Sequence, residues 1–171
     1  SDNLIKNLPN ALTITNMLLG LTVISLVIAY HSREIIKVGC LLIILGAIID
    51  GVDGKLARYL NATSDFGKEL DSFADFVTFG VAPVSLLWQL DMFGGNFVSF
   101  LLLAVYPLAG AFRLARYNIG DYRDYFLGLP ITCAGILMAL FILVMEMFTK
   151  GPNVQILSGL TAVILLVLSL L

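Results

Sequence analysis

Six stretches of this chain, roughly residues 11–30, 36–59, 68–91, 96–117, 128–148 and 154–171, stay apolar over the length that a helix needs to cross a bilayer. A hydrocarbon core is about 30 Å thick and takes about 20 helical residues to span. Backbone facing lipid must satisfy its own hydrogen bonds, so each stretch is predicted to be helical. Composition agrees: 59% of the 171 residues are hydrophobic and 13% are charged, against about 45–50% and about 25% in soluble domains. The expected fold class is an all-α membrane protein of six transmembrane helices, forming one domain over residues 1–171.

Ahead of the first span, Leu4, Ile5 and Leu8 fall on one helical face, with Asp2, Lys6 and Asn7 around the rest. This pattern predicts a short N-terminal interfacial helix ended by Pro9. The first apolar stretch carries no small-residue cleavage pattern, so it is expected to be a retained helix. The links at 31–35, 92–95 and 149–153 are short, which favours antiparallel neighbours in a compact bundle. Lys6, Lys55, Arg58, Lys68, Arg113, Arg116 and Arg123 gather at one set of helix ends, and Arg33, Lys37 and Lys150 at the other. The positive-inside rule then places the first set, and both termini, in the cytoplasm of a multi-pass cell-membrane protein. A net charge of −2 offers no broad basic surface for a nucleic acid polymer. Cys40 and Cys133 lie in apolar stretches without metal-binding spacing and are expected to be small core residues. Glu146, near the opposite end, is expected to be interhelical or to snorkel.

Against this apolar background, residues 50–75 read DGVDGKLARYLNATSDFGKELDSFAD. Asp50 and Asp53 are three apart near the end of the second span, and Asp71 and Asp75 are four apart near the start of the third. Those spacings put each pair on one helix face. Two antiparallel helices joined by a short turn can therefore aim four carboxylates at one point. A carboxylate at mid-membrane costs about 3 kcal/mol on insertion scales, less near an end, and four of them repel one another. Two divalent cations would balance the four charges, and all-oxygen ligation suits Mg²⁺ or Mn²⁺. An ion-conducting or proton-conducting route is the other reading of intramembrane acids. Gly51, Gly54, Ala57 and Gly67 occupy the same helix ends, where small residues permit close helix approach or leave space for a ligand. Arg58 lies four residues beyond Gly54, suited to meeting a phosphate bidentately. On the first span, Asn10, Thr13 and Asn16 recur every three residues. That polar stripe is expected to face the bundle interior, to orient the acids or to form interhelical bonds.

The acidic segment resembles the CDP-alcohol phosphotransferase family signature, D-x2-D-G-x2-A-R-x8-G-x3-D-x3-D. The matching positions are Asp50, Asp53, Gly54, Ala57, Arg58, Gly67, Asp71 and Asp75. The resemblance implies a six-helix fold, a homodimer, and cleavage of a CDP-alcohol pyrophosphate with release of CMP. It implies that Asp50, Asp53 and Asp71 are the main metal ligands. Asp75 would be the catalytic base, close enough to share in the metal site. It also places Asp53, Gly54, Ala57, Arg58 and Gly67 at the CDP moiety, with Asn10 and Thr13 beside them. Two further segments, PLAGAFRLARYN (107–118) and FLGLP (126–130), resemble the membrane-bound branch of the family whose acceptor is L-serine. Arg113, Arg116 and Asn118 are then the expected acceptor residues, since a guanidinium pairs well with a carboxylate. The close rivals keep the chemistry and change the acceptor to glycerol 3-phosphate or an inositol phosphate. A divalent-cation transporter is the distant one; the clustering of acids at one membrane edge speaks against it.

Overall fold

The computed structural model describes residues 7–91, 94–120, 129–148 and 154–170, apart from the side chains of 148 and 154–157. Among these residues there are six helical segments and no strand. They are α1 (Leu8–Ala29), α2 (Arg33–Tyr59), α3 (Asp65–Gln89), α4 (Phe97–Ile119), α5 (Ile131–Phe148) and α6 (Val154–Leu170). The first four are long and apolar enough to cross a membrane, and α5 and α6 are shorter apolar helices. Residues 1–6, most of the predicted interfacial helix, lie outside the described residues. Pro9 itself belongs to α1. It sits in the first turn of α1, where a proline costs nothing because the N–H it lacks would have no intrahelical partner.

Hydrogen bonds between the ends show the helices alternating in direction. At one end the start of α3 meets the end of α4, where Asn118 Nδ2 donates to Glu69 Oε2 at 3.2 Å and to Ser72 Oγ at 3.0 Å. At the other, Gln89 of α3 donates to the carbonyl of Tyr30 at 2.8 Å, just past the end of α1. There too Lys37 of α2 meets the buried Glu146 of α5 at 3.9 Å, the interhelical role expected of Glu146. Large side chains such as Leu41, Ile48, Phe112 and Val144 point outward, as they would toward lipid.

The centre of the bundle is α3, which packs against α1, α2, α4 and α5. Phe79, Leu86 and Leu87 of α3 are buried with Val23, Ile43, Met138 and Ile142 from its neighbours. Glycines make the close approaches. A Cβ on Gly46 of α2 would lie 2.8 Å from Thr78 Cγ2, and one on Gly135 of α5 would lie 2.6 Å from Phe79 Cβ. Cys40 is buried as expected, but Cys133 is exposed on the outer side of α5. An apolar exterior accepts a thiol as readily as a core does.

α3 is not regular. Residues Phe76–Val81 form a π-helical stretch, and Pro83 follows it. Proline has no N–H to offer the carbonyl four residues back, which is that of Phe79. That carbonyl instead accepts a 2.9 Å hydrogen bond from the hydroxyl of Tyr106 on α4. Tyr106 is 3% exposed, so water cannot take its place. Tyr106→Phe should cost roughly 1 kcal/mol, toward the upper part of the range for interhelical hydrogen bonds in membranes. Reversible unfolding in mixed detergent micelles would measure it.

Candidate active site

The turn that joins the two acid-bearing helices is written into its residues. At the end of α2, Ala62 N–H bonds the carbonyl of Ala57 at 3.0 Å and Asn61 N–H that of Arg58 at 3.3 Å. This is a Schellman closure, with Asn61 in the left-handed region at φ 49°. Three residues on, Ser64 caps α3 by accepting from Gly67 N–H at 3.0 Å. A five-residue link thus returns the chain with α2 and α3 antiparallel. Asp50 and Asp53 on one then face Asp71 and Asp75 on the other.

The carboxylates converge. Asp50, Asp53 and Asp71 each offer an oxygen within 4.8 Å of the other two. Asp75 lies one turn beyond Asp71 on the same face of α3. Asp53 and Asp75 are 3% and 9% exposed, so bulk water does not screen them. Two unit charges 4 Å apart repel by about 4 kcal/mol at an effective dielectric of about 20. Among the described residues, none of the four carboxylates forms an ion pair. Lys68 pairs with the exposed Asp65 at 3.7 Å, and Lys55 and Arg58 are exposed.

Neighbouring helices brace the acids. On α1 the buried residues are Pro9, Thr13, Asn16, Gly20 and Val23, one face of the helix. Thr13 Oγ1 donates to Asp53 Oδ2 at 2.9 Å, and Asn16 Nδ2 reaches Asp75 Oδ1 at 3.5 Å. Thr78, one turn past Asp75, donates to the Asn16 carbonyl at 2.8 Å and locks α1 against α3. Asn10 approaches α3 at Gly67, where a Cβ would come within 3.2 Å of Asn10 Oδ1. Thr132 of α5 donates to Asp50 Oδ2 at 3.1 Å. Sequence reasoning missed Thr132, because a lone threonine in an apolar run carries no signal of its own. It gave Asn16 an interior place without matching it to Asp75.

A divalent cation fits this donor set. All the donors are oxygens, and Asp71 Oδ1 is buried without a hydrogen-bond partner. Oxygens around Mg²⁺ at about 2.0–2.1 Å lie at most about 4.2 Å apart, so the three carboxylates need only small shifts to share an ion. The small residues divide into two kinds. Gly67 is crowded by its neighbours, whereas a Cβ on Gly51 would meet nothing within 4 Å, and one on Gly54 would meet only Arg58 Nη1 at 3.9 Å. Gly51 and Gly54 therefore open space beside the acids, with the Arg58 guanidinium at its edge. Ala57 lies one turn beyond Asp53 and is half-buried.

The expected acceptor residues do not all converge on the carboxylates. The Arg113 guanidinium donates to the carbonyl of Leu129 and, at 3.3 Å, to that of Leu168. Asn118 is held by Glu69 and Ser72. Arg116 is exposed at the same end of α4. Arg123 and residues 126–128 of the FLGLP segment lie outside the described residues.

Comparison with known proteins agrees with this geometry. The chain is 40% identical over 146 residues to the CDP-diacylglycerol--serine O-phosphatidyltransferase of Bacillus subtilis, covering 85% of this chain and 77% of that protein. It is 36% identical over 138 residues to the protein of the same name from Helicobacter pylori strain J99, with 79% and 56% covered. It is 41% identical over 122 residues to that from Methanocaldococcus jannaschii, with 70% and 57% covered. The chain thus spans a little over half the length of the last two relatives. The family model described as CDP-alcohol phosphatidyltransferase matches residues 6–170. With its full signature gathered at one end of a helical bundle, the chain belongs to the CDP-alcohol phosphatidyltransferase family.

Proposed function

We propose that this protein transfers a phosphatidyl group from CDP-diacylglycerol, or an ether-lipid analogue, to the hydroxyl of L-serine, forming phosphatidylserine and releasing CMP. The observation that carries the reading is the convergence of three carboxylate oxygens within 4.8 Å at one end of the bundle. Serine as the acceptor rests on the names of the relatives. Asp50, Asp53 and Asp71, with Asp75 at their side, would hold two divalent ions, Mg²⁺ or Mn²⁺. Bound there, the ions would neutralise the pyrophosphate and the charge that develops on the leaving CMP. The reacting end of the bundle would face the cytoplasm, with both termini on that side, and two copies would pair as a homodimer.

In this scheme the chain's own residues align the reactants. Phosphoryl transfer needs positioning and charge neutralisation more than covalent help from the protein. Gly51 and Gly54 leave room for the cytidine diphosphate, and Ala57 and Gly67 keep the neighbouring helix ends close. Arg58 is placed to hold a phosphate at the edge of that space. Asn10 and Thr13 define its α1 side, and Thr13 also keeps Asp53 in its orientation. Asp75 takes the proton of the serine hydroxyl as the serine oxygen bonds to the lipid-bearing phosphorus and the bond from that phosphorus to CMP breaks. Of the expected acceptor residues, Arg116 is the best placed to meet the serine carboxylate. Arg113 and Asn118 are engaged with other groups of the protein, which leaves the carboxylate to Arg116.

Purified protein given CDP-diacylglycerol, Mn²⁺ and one acceptor at a time should release CMP with L-serine, and EDTA should abolish the release. Release only with glycerol 3-phosphate or an inositol phosphate would reject serine and keep the chemistry. No release with any acceptor, together with cation flux into vesicles, would reject the enzyme.

Gly54→Leu separates nucleotide space from mere packing. The first carbon added has only Arg58 Nη1 within 4 Å, at 3.9 Å, and a leucine suits a helix better than glycine by up to about 1 kcal/mol. Stability should hold or rise, while KM for CDP-diacylglycerol should increase roughly tenfold or more, since a misplaced reactant alone can cost about 10²-fold. Michaelis kinetics beside a thermal unfolding curve would check both halves.

A further inference from the structure

The first turn of α5 is seated with unusual care for a helix that contributes none of the acids. On α4, Gly110 and Arg113 are three residues apart and so share a face. A Cβ on Gly110 would lie 2.7 Å from Ile131 Cδ1, so the glycine makes room for the first residue of α5. The half-buried Arg113 spreads its guanidinium between the carbonyl of Leu129, just ahead of α5, and that of Leu168 near the end of α6. Pro130 then opens the helix, its carbonyl accepting from Ala134 N–H at 3.0 Å. The next side chain after Ile131 is Thr132, whose hydroxyl donates to Asp50 Oδ2 at 3.1 Å.

We propose that Thr132 is a positioning residue for Asp50, and that Arg113 sets it there by gripping the carbonyl of Leu129. The inference rests on the reading that the carboxylates hold a divalent cation. Asp50 shares the close oxygen triad with Asp53 and Asp71, so its orientation affects the cluster. A carboxylate fixed through one oxygen cannot turn freely, and its other oxygen is kept toward its neighbours. Thr13 does this for Asp53 from α1, and Thr132 does it for Asp50 from α5. The two aspartates of α2 are thus each held by a threonine on a different helix. Partners that orient ligating carboxylates change metal affinity by about 10–100-fold when removed.

The same geometry gives Arg113 a different task from that of an acceptor ligand. Its two described partners are main-chain carbonyls, one just ahead of α5 and one near the end of α6, and both draw it toward those ends.

The test is Mn²⁺ binding by the purified full chain, read from the electron paramagnetic resonance of the free ion, alongside kinetics. Thr132→Val keeps the side-chain volume and removes the donor; it should weaken Mn²⁺ binding about tenfold. Thr132→Ser should restore the affinity to within about twofold. Arg113→Met should weaken Mn²⁺ binding in the same direction and leave KM for L-serine unchanged at saturating Mn²⁺. Unaltered Mn²⁺ affinity in Thr132→Val would overturn the positioning role and leave the metal site standing. A raised KM for serine at unchanged Mn²⁺ affinity in Arg113→Met would return Arg113 to the acceptor. Failure of the unsubstituted chain to bind Mn²⁺ would overturn the site reading and this inference together. If Arg113→Met does not fold, the Thr132 pair decides by itself.

Discussion

Asp75→Asn should lower serine-dependent CMP release by about 10²–10⁴-fold, the usual worth of a positioned general base. The substitution is close to isosteric, and Asp75 is 9% exposed in a packed helix, so the fold has little reason to change. Removing one of four clustered negative charges would, if anything, relieve repulsion and raise stability. Loss of activity with stability kept or increased is therefore the signature. The same variant separates the two roles open to Asp75. Asp50, Asp53 and Asp71 make the close oxygen triad without it, so Mn²⁺ affinity should fall much less than turnover. A parallel collapse of both would make Asp75 a ligand first. Full activity in Asp75→Asn would remove the base from the mechanism altogether.

Gly20→Val should be nearly as damaging, although Gly20 is more than a helical turn from any acid-binding residue it supports. A Cβ there would lie 2.5 Å from Thr78 Oγ1 and 2.7 Å from Thr78 Cα. The second contact is with backbone, and Thr78 cannot turn aside without breaking its bond to the Asn16 carbonyl. α1 must therefore move away from α3. Overpacking of this kind costs about 1–3 kcal/mol. The displacement would carry Thr13 from Asp53 and Asn16 from Asp75. A shift of about 1 Å can cost about 10²-fold in rate, so CMP release should fall well beyond what the stability loss explains. Activity measured well below the unfolding temperature, beside the melting curve, would distinguish the two. A variant that melts lower and yet turns over normally would show that α1 does not hold the acids in place.

Much of this arrangement was legible in the residues because the physics behind it is local. Apolar run length gave the positions of the helices to within a few residues. The three-and-four spacing of Asp50, Asp53, Asp71 and Asp75 gave their convergence, since helix geometry leaves few other places for them. The stripe of Asn10, Thr13 and Asn16 faced the interior as polar groups in an apolar helix must. What stayed hidden depends on partners distant in the chain. The π-helical stretch at Phe76–Val81 needs the Tyr106 hydroxyl, 27 residues away from its acceptor. Pro83 was the available sign of it. The partners of Arg113, the carbonyls of Leu129 and Leu168, stayed hidden because sequence shows a charge but not what it meets. Thr132 could be found only once α5 was laid against Asp50.

The four clustered aspartates lie at one end of the bundle, and the opposite end is tied by Gln89 and by Lys37 with Glu146. On the proposed function, an enzyme built this way would work on one leaflet only. Its lipid would arrive sideways with the tails already in place, exchange its headgroup there, and drift off within the same monolayer. No headgroup would have to be dragged through hydrocarbon, and the new phospholipid would be made on a single side, so the membrane's sidedness would begin with its synthesis.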